Sequence, residues 1–461
     1  KMVFKFLNPL YLECLLILLV LVEIHLSTSK TIFFGDIGGI PNKNTKEIYY
    51  ENTRILNNFF LSMEPHTTIM FERDQIYYLM GGIIAGNLSN VTLHIDSTLV
   101  FTGKEIHNWP KSEGSRKPID CFNLINSTNV TLTSSNQNPS QGLIDGSGSH
   151  WWGIPFIGYL IRQENRPKLL KIRSCQNIVV NNITLKDSPY WTFHASDIDT
   201  MEVYNTNITA RRTSWESHSI LDLSAFNTDG FDISHGRNVH IHDCWVWNQD
   251  DIVAVKDHSE NMLFERINGS GVGFTIGSIG NSKVNNITFR DMTMPHTFKG
   301  IYMKFRGGST EEGGSISNIL YQNITMYQPE QWPIWIGPAQ QSDSINLCAA
   351  HPCSLCWPLL HWAGAQCNMP ENFRYENITL KDITIIDPKN KYGVGVIMGN
   401  QKTPIKNILF DNVNVFERNT DTLYSEIDNM QKKAQRKDYY VCEGVENGRA
   451  INSNPKPVCF K

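Results

Sequence analysis

The sequence has little of what would place it quickly. Charged residues make up 19% of the 461 and balance to only −4, so no basic face is offered and no nucleic-acid partner is expected. After the first thirty residues no stretch approaches the roughly 20 apolar residues that a membrane helix needs. No linker rich in Pro, Gly or Ser divides the chain beyond residue 31, which reads as one domain. Leucine-rich spacing and a propeller-blade signature are both missing, so those repeat folds are set aside. Hydrophobic content of 41% excludes a disordered or fibrous chain.

The first thirty residues do carry an apolar run. Lys1 and Lys5 precede Cys14–Val22, and Ser27, Thr28 and Ser29 follow. That layout is expected of a secretory signal peptide spanning 1–30, because a nine-residue run between Glu13 and Glu23 is too short to anchor the chain in a bilayer. Secretion, and no membrane contact after cleavage, is the reading. Ten Asn-X-Ser/Thr sequons agree with it: Asn87, Asn90, Asn126, Asn129, Asn182, Asn207, Asn268, Asn286, Asn323 and Asn377. The plainer account is that Asn and Thr suit turns and strands, and both can hold. Nine cysteines lie beyond the signal, an odd number for an oxidising compartment. Disulfides are expected within the cluster Cys348, Cys353, Cys356 and Cys367, and between Cys442 and Cys459. Zinc is the weaker alternative there, with His351 and His361 nearby and no second Cys-x-x-Cys.

What the chain has in quantity is repetition. Asn182-Ile-Thr-Leu returns as Asn207-Ile-Thr-Ala, Asn286-Ile-Thr-Phe, Asn323-Ile-Thr-Met and Asn377-Ile-Thr-Leu, with Asn412-Val-Asn-Val as a looser copy. Short strands joined by Asn, Asp and Gly turns at this period predict an all-β, right-handed parallel β-helix over 31–430. Before it, Asn44–Met63 has its apolar residues near helical spacing and is expected to form a short N-terminal capping helix. Residues 328–370 interrupt the repeat with Trp, Pro and Cys; the aromatics there either line the rim of a sugar cleft or cover a flank of the coil. Residues 431–461 read as a C-terminal tail.

The chemistry concentrates between Asn227 and Arg306. Asn227-Thr-Asp229-Gly is followed by Gln249-Asp250-Asp251, then Gly271-Val-Gly273 with Ile276-Gly-Ser278, then Tyr302-Met-Lys304-Phe-Arg306. Asp229 to Asp250 is 21 residues and Asp250 to Val272 is 22, intervals that suit one solenoid turn each. Neighbouring rungs stand about 4.8 Å apart, so three carboxylates would crowd one face. Crowded anions raise one another's pKa, which favours keeping one carboxyl protonated beside an ionised one, as glycosidic hydrolysis needs. Adjacent residues of a regular strand face opposite ways, so Asp250 and Asp251 need a bend to share a cleft.

These motifs, in this order, resemble glycoside hydrolase family 28, the polygalacturonases and related pectinases. Ile144-Asp-Gly-Ser-Gly, Trp151-Trp152 and Ser188-Pro-Tyr-Trp191 add to the likeness, which extends over roughly residues 31–420. The resemblance implies a parallel β-helix and inverting hydrolysis of α-1,4-galacturonosyl bonds of pectin, with Asp250 as general acid and Asp229 and Asp251 activating water. It implies an acidic polysaccharide as partner, no metal or cofactor, and a monomer. Two positions depart from it: the family's polygalacturonases carry Gly-His-Gly where this chain has Val272, and Arg-x-Lys where it has Tyr302. Lys304, Lys256 and Arg306 remain as candidate anion ligands, with Tyr302 and Asn227 as candidate substrate contacts. A relative tuned to another acidic polymer, such as rhamnogalacturonan, and a non-catalytic carbohydrate-binding β-helix are the alternatives.

Overall fold

In the computed structural model, residues 30–154, 165–219, 221–307, 313–341, 348, 353–357, 360, 367–389, 393–418, 430–432 and 440–461 are described. The expected signal peptide, His351, His361 and part of the tail lie outside them. Strands follow one another almost without interruption and pair in parallel with the strand one turn later, building a right-handed β-helix. Among the described strands, only the pairing of Ile405–Arg418 with Met430–Lys432 is antiparallel.

The repeated Asn-Ile-Thr phrase explains how the coil turns. Asn182, Asn286, Asn323 and Asn377 all sit at positive φ, between 52° and 57°, the left-handed region that Asn tolerates better than other residues with a side chain. The Ile that follows each (Ile183, Ile287, Ile324, Ile378) is buried. Period-two alternation then points the next apolar residue inward and the Thr outward. The bends are tied by asparagine ladders, such as Asn129 to Asn90 at 2.9 Å, Asn286 to Asn261 at 2.9 Å and Asn377 to Asn318 at 3.0 Å. Several sequon asparagines therefore use their side-chain nitrogen to hold rung to rung, and a glycan on the same atom competes with the ladder. Inside, rungs register like on like. Phe264, Phe289 and Tyr321 stack at centroid spacings of 4.9 and 4.6 Å.

The helix Lys46–Leu61 forms where expected, turning Tyr49, Asn52, Leu56 and Phe60 inward against the first turns. At the other end the coil continues into the segment read as a tail: Tyr440–Glu443 pairs with Gly395–Met398, and Arg449–Ile451 with Ile405–Arg418. The cysteine clusters pair as Cys348–Cys356, Cys353–Cys367 and Cys442–Cys459. Those bonds occupy the thiols that zinc would need. Cys121, Cys175 and Cys244 are free and buried.

Candidate active site

Five consecutive strands of one sheet face carry the site: Phe193–Tyr204, Phe231–Trp247, Asp251–Val255, Gly273–Ile279 and Ile301–Phe305. Asp229 lies just before the second and Asp250 just before the third. The bend that Asp250 and Asp251 need is present. Gln249 and Asp250 form it, and the pairing then slips by one residue between Asp251 and Val253, a bulge at Ile252. The bend, set ahead of the strand, takes Asp250 out of regular alternation with Asp251, and both present a carboxylate oxygen to one point. Gly273 makes the next rung fit closely: it sits at φ +140°, and a Cβ there would lie 2.3 Å from the carbonyl oxygen of Gly300.

Asp229, Asp250 and Asp251 each bring a carboxylate oxygen within 4.8 Å of the others. Asp251 accepts from Thr275 Oγ1 at 2.6 Å and pairs with Lys304 Nζ at 3.2 Å. Asp250 accepts from Asn227 Nδ2 at 3.1 Å and from the Asp251 backbone N–H at 2.9 Å. Asp229 is buried, its Oδ2 3.7 Å from Lys256 Nζ and its Oδ1 without a hydrogen-bond partner. A fourth carboxylate, Asp232, lies fully buried 3.2 Å from the same lysine.

The charges do not cancel. Four carboxyl groups crowd around Lys256 and Lys304. Burial, then Asp232 and Asp250, pushes Asp229 well above the ordinary carboxylate range. Burial and the neighbouring Asp251 raise Asp250 too, with Lys304 and Lys256 opposing. Asp232 is pushed up to about 6, mainly by burial. Burial works against the charge of both lysines, but the carboxylates outweigh it and raise them. Such a set shares its protons, so its titration belongs to the group.

The model of glycosyl hydrolases family 28 matches residues 83–351, more than half the chain. The chain belongs to glycosyl hydrolase family 28. It is 30% identical over 235 residues to the probable endopolygalacturonase I of Aspergillus flavus, covering 50% of this chain and 57% of that one. To the probable endopolygalacturonase D of Neosartorya fischeri it is 27% identical over 311 residues, 65% of this chain and 58% of that one. The chain thus spans somewhat more than half the length of these relatives. Among solved structures it is similar to the endo-xylogalacturonan hydrolase of Aspergillus tubingensis, with TM-score 0.66, 17% identity and coverage of 93% and 99%. The exopolygalacturonase of Thermotoga maritima gives TM-score 0.63, 15% identity and 92% coverage of both chains. At such identities the two structures bear on the fold alone.

Within this family 28 fold, the residues picked from sequence fall into two sets. Asp229, Asp250, Asp251, Asn227, Lys256 and Lys304 come together. Arg306 does not join them: its Nη2 binds Asp257 Oδ2 at 2.6 Å and the Ser278 carbonyl at 2.9 Å. Asp257 needs that cation, because it also accepts from Gly280 N and Ser282 Oγ in tying two rungs. Tyr302 is near the cluster but buried. Its hydroxyl accepts the Gln340 backbone N–H at 3.1 Å, and its ring is 4.1 Å from Lys304 Nζ. A hydroxyl aimed at substrate is not what Tyr302 supplies.

Sequence reasoning missed four positions. Lys299 is buried, donates to Gln331 Oε1, and lies 5.0 Å from the Tyr302 ring centroid and 6.0 Å from that of Trp335. Burial and the nearby Lys304 lower its pKa to about 7, against Asp251 and Asp250. Its one signal in the sequence is a lysine at an otherwise uncharged rung entry, Thr297-Phe-Lys-Gly. Asp232, three residues after Asp229, had no motif to mark it. Arg166 and Lys168 lie upstream, where a cavity of about 400 Å³ is lined by them with Lys171, Tyr190 and Trp191. Lys168 and Lys256 stand over the Trp191 ring at 4.5 and 5.1 Å, and Tyr190 stacks on Trp191 at 5.2 Å. Asn227 links this groove to the carboxylates, accepting from Arg166 while donating to Asp250.

Proposed function

We propose that this chain is a secreted hydrolase that cleaves α-1,4-galacturonosyl bonds of pectin by single displacement. The observation that carries the reading is the cluster itself: three carboxylates on adjoining rungs, two lysines and an excess of negative charge that retains protons. A binding module has no use for such crowding. Asp250 is the half-buried member whose contacts are an amide and a backbone N–H, so it can hold a proton and pass it to the leaving oxygen. Asp251, ion-paired with Lys304, and Asp229, beside Lys256, orient the water. General inverting spacing is about 6.5–9.5 Å between carboxyl groups, wider than the nearest-oxygen limit of 4.8 Å here. A water that donates to two oxygens at about 2.8 Å each joins, through its bent angle, oxygens about 4.4 Å apart, a separation that the 4.8 Å limit between Asp229 and Asp251 allows.

The upstream groove supports an anionic polymer. Lys168 and Lys171 line it, Tyr190 and Trp191 bring aromatic surface beside them, and Arg166 is buried behind, donating to the Pro189 and Phe226 carbonyls. A second reading rests on the opposite wall. Val272 and Tyr302 stand where the family's polygalacturonases carry His and Arg, and both pack against Trp332, Trp335 and Trp357. A less acidic unit on that side, as in rhamnogalacturonan, suits this wall. Secretion fits the three disulfides, since such bonds persist in oxidising compartments. The test is release of reducing ends from polygalacturonate and from rhamnogalacturonan, run with wild type and Asp250→Asn. Activity lost with the substitution is expected. Undiminished activity in Asp250→Asn removes the general-acid role, and inactivity of wild type on every pectic polymer favours the binding module.

A further inference from the structure

One cluster outside the cleft has ligand chemistry that the hydrolytic reading does not use. On the outer face of the strand Phe231–Trp247, His240 and His242 alternate with the inward Val239 and Ile241. They therefore project together on the second sheet of the coil, past the bend at His235 and Asn238. Glu202, on the preceding rung, is the register partner of His240. One of its oxygens, Oε1, lies 3.4 Å from His242 Nε2 and 4.0 Å from His240 Nδ1.

The opposite ring nitrogens are held from behind. His242 Nδ1 is 2.6 Å from Asp243 Oδ2, and His240 Nε2 is 3.0 Å from Glu265 Oε1. A carboxylate accepts but cannot donate, so these closer contacts favour the proton on His242 Nδ1 and His240 Nε2. Arg266 Nη2 is also 3.4 Å from His242 Nδ1, and Glu202 is the longer contact at His242 Nε2. The other two nitrogens then turn lone pairs toward Glu202. Arg266 pairs with both Asp243 and Glu265, and Arg290 with Glu265, so those two carboxylates are balanced. Glu202 is not: its ion-pair partners among the described residues are the two histidines alone. Two imidazole nitrogens and an exposed carboxylate facing one point make a set that can take up a cation.

We infer that Glu202, His240 and His242 form a surface binding site for a borderline transition dication, Zn²⁺ in the first instance. Two imidazoles and a carboxylate are a zinc donor set, and a carboxylate behind each ligating imidazole is the usual way of fixing its tautomer. The three ligand atoms lie within 4.8 Å of one another. Bonds of about 2.0–2.2 Å bring them closer, and the exposed side chain of Glu202 can move to close the set. The fourth position faces solvent. Because Glu202 and the histidines belong to successive rungs, the ion staples the outer face of the coil rather than serving the cleft, and it leaves hydrolysis unchanged.

The test is Zn²⁺ titrated calorimetrically into the full chain after treatment with a chelator, with Glu202→Gln and His242→Ala in parallel. Saturable binding near one ion per chain is expected, weakened at least tenfold in either variant, while hydrolysis and circular dichroism stay at wild-type values. Asp250→Asn, which alters the other carboxylate cluster, is expected to bind zinc as wild type does. No saturable binding, or binding equally strong in Glu202→Gln, overturns the proposal; binding lost only in Asp250→Asn moves the ion to the cleft and overturns it too. Glu202 is exposed, so its isosteric substitution tests the site without burdening the fold.

Discussion

The two flanks of the carboxylate cluster use cations in opposite ways. Upstream, Lys168 and Lys171 line an open cavity with Arg166 buried behind them, and Trp191 lies beneath Lys168 and Lys256. Downstream, Lys299 is buried in a wall of Tyr302, Trp335 and their neighbours, clamped to Gln331, with its pKa brought down to about 7. The upstream lysines reach the cavity, Lys171 paired with Asp120 and Lys168 held at His194 with burial bringing its pKa down to about 8. The downstream flank hides its charge behind aromatic rings braced by the Cys353–Cys367 disulfide. On the proposed reading, the difference makes the cleft unevenly suited to an acidic chain and makes the downstream wall the candidate for selectivity.

The largest effect ignores the comparison and so anchors it. Asp250→Asn is expected to lower kcat by about 10²–10⁴-fold on any polymer the enzyme cuts, the usual range for losing a general acid. Next comes the upstream flank. Lys168→Met is expected to raise KM on polygalacturonate about tenfold at low salt, with kcat little changed. That lysine is half-buried at the cavity, with its amine 2.9 Å from His194 Nδ1, and the loss should shrink as salt rises; a salt-independent loss would mean the groove is structural.

The downstream flank should answer to pH instead. Lys299 loses its charge as pH rises through about 7, and being buried it acts through the neighbouring Lys304, Asp250 and Asp251 rather than by touching the sugar, so kcat/KM should fall there. Lys299→Met is expected to cost about threefold in kcat/KM below pH 7 and to erase that limb of the profile. A limb that survives the substitution assigns it to another group. The smallest effect is expected at Val272. Val272→His places a polar ring beside Asp250, whose carbonyl already accepts the Val272 N–H, and should raise the rate on polygalacturonate about two- to threefold relative to rhamnogalacturonan. An equal change on both polymers would detach the wall from selectivity.

Much of the fold was legible because the coil repeats its own solution. Each Asn-Ile-Thr copy carries a left-handed bend, an inward Ile and an outward Thr, so local chemistry and global shape agree. The carboxylates were legible from their spacing, and even the need for a bend at Asp250 could be stated in advance. Burial of lone polar residues was not. Lys299 and Asp232 have no motif, and their environment is made by rungs far apart in sequence. Arg306 and Tyr302 stood at the right spacing but were claimed by other partners, Asp257 and the Gln340 backbone. The closing strands Tyr440–Glu443 and Arg449–Ile451 followed a charged stretch and were hidden by it.

The claim that this cluster runs a single displacement is tested most directly by the configuration of the first product. Proton NMR of polygalacturonate digestion, followed from the first minutes, reports the anomer released before mutarotation. The account predicts β-configured reducing ends from the α-linked polymer. Reducing ends that appear first as α would mean a covalent intermediate on one of the three aspartates, and would contradict the assignment of Asp229 and Asp251 to water.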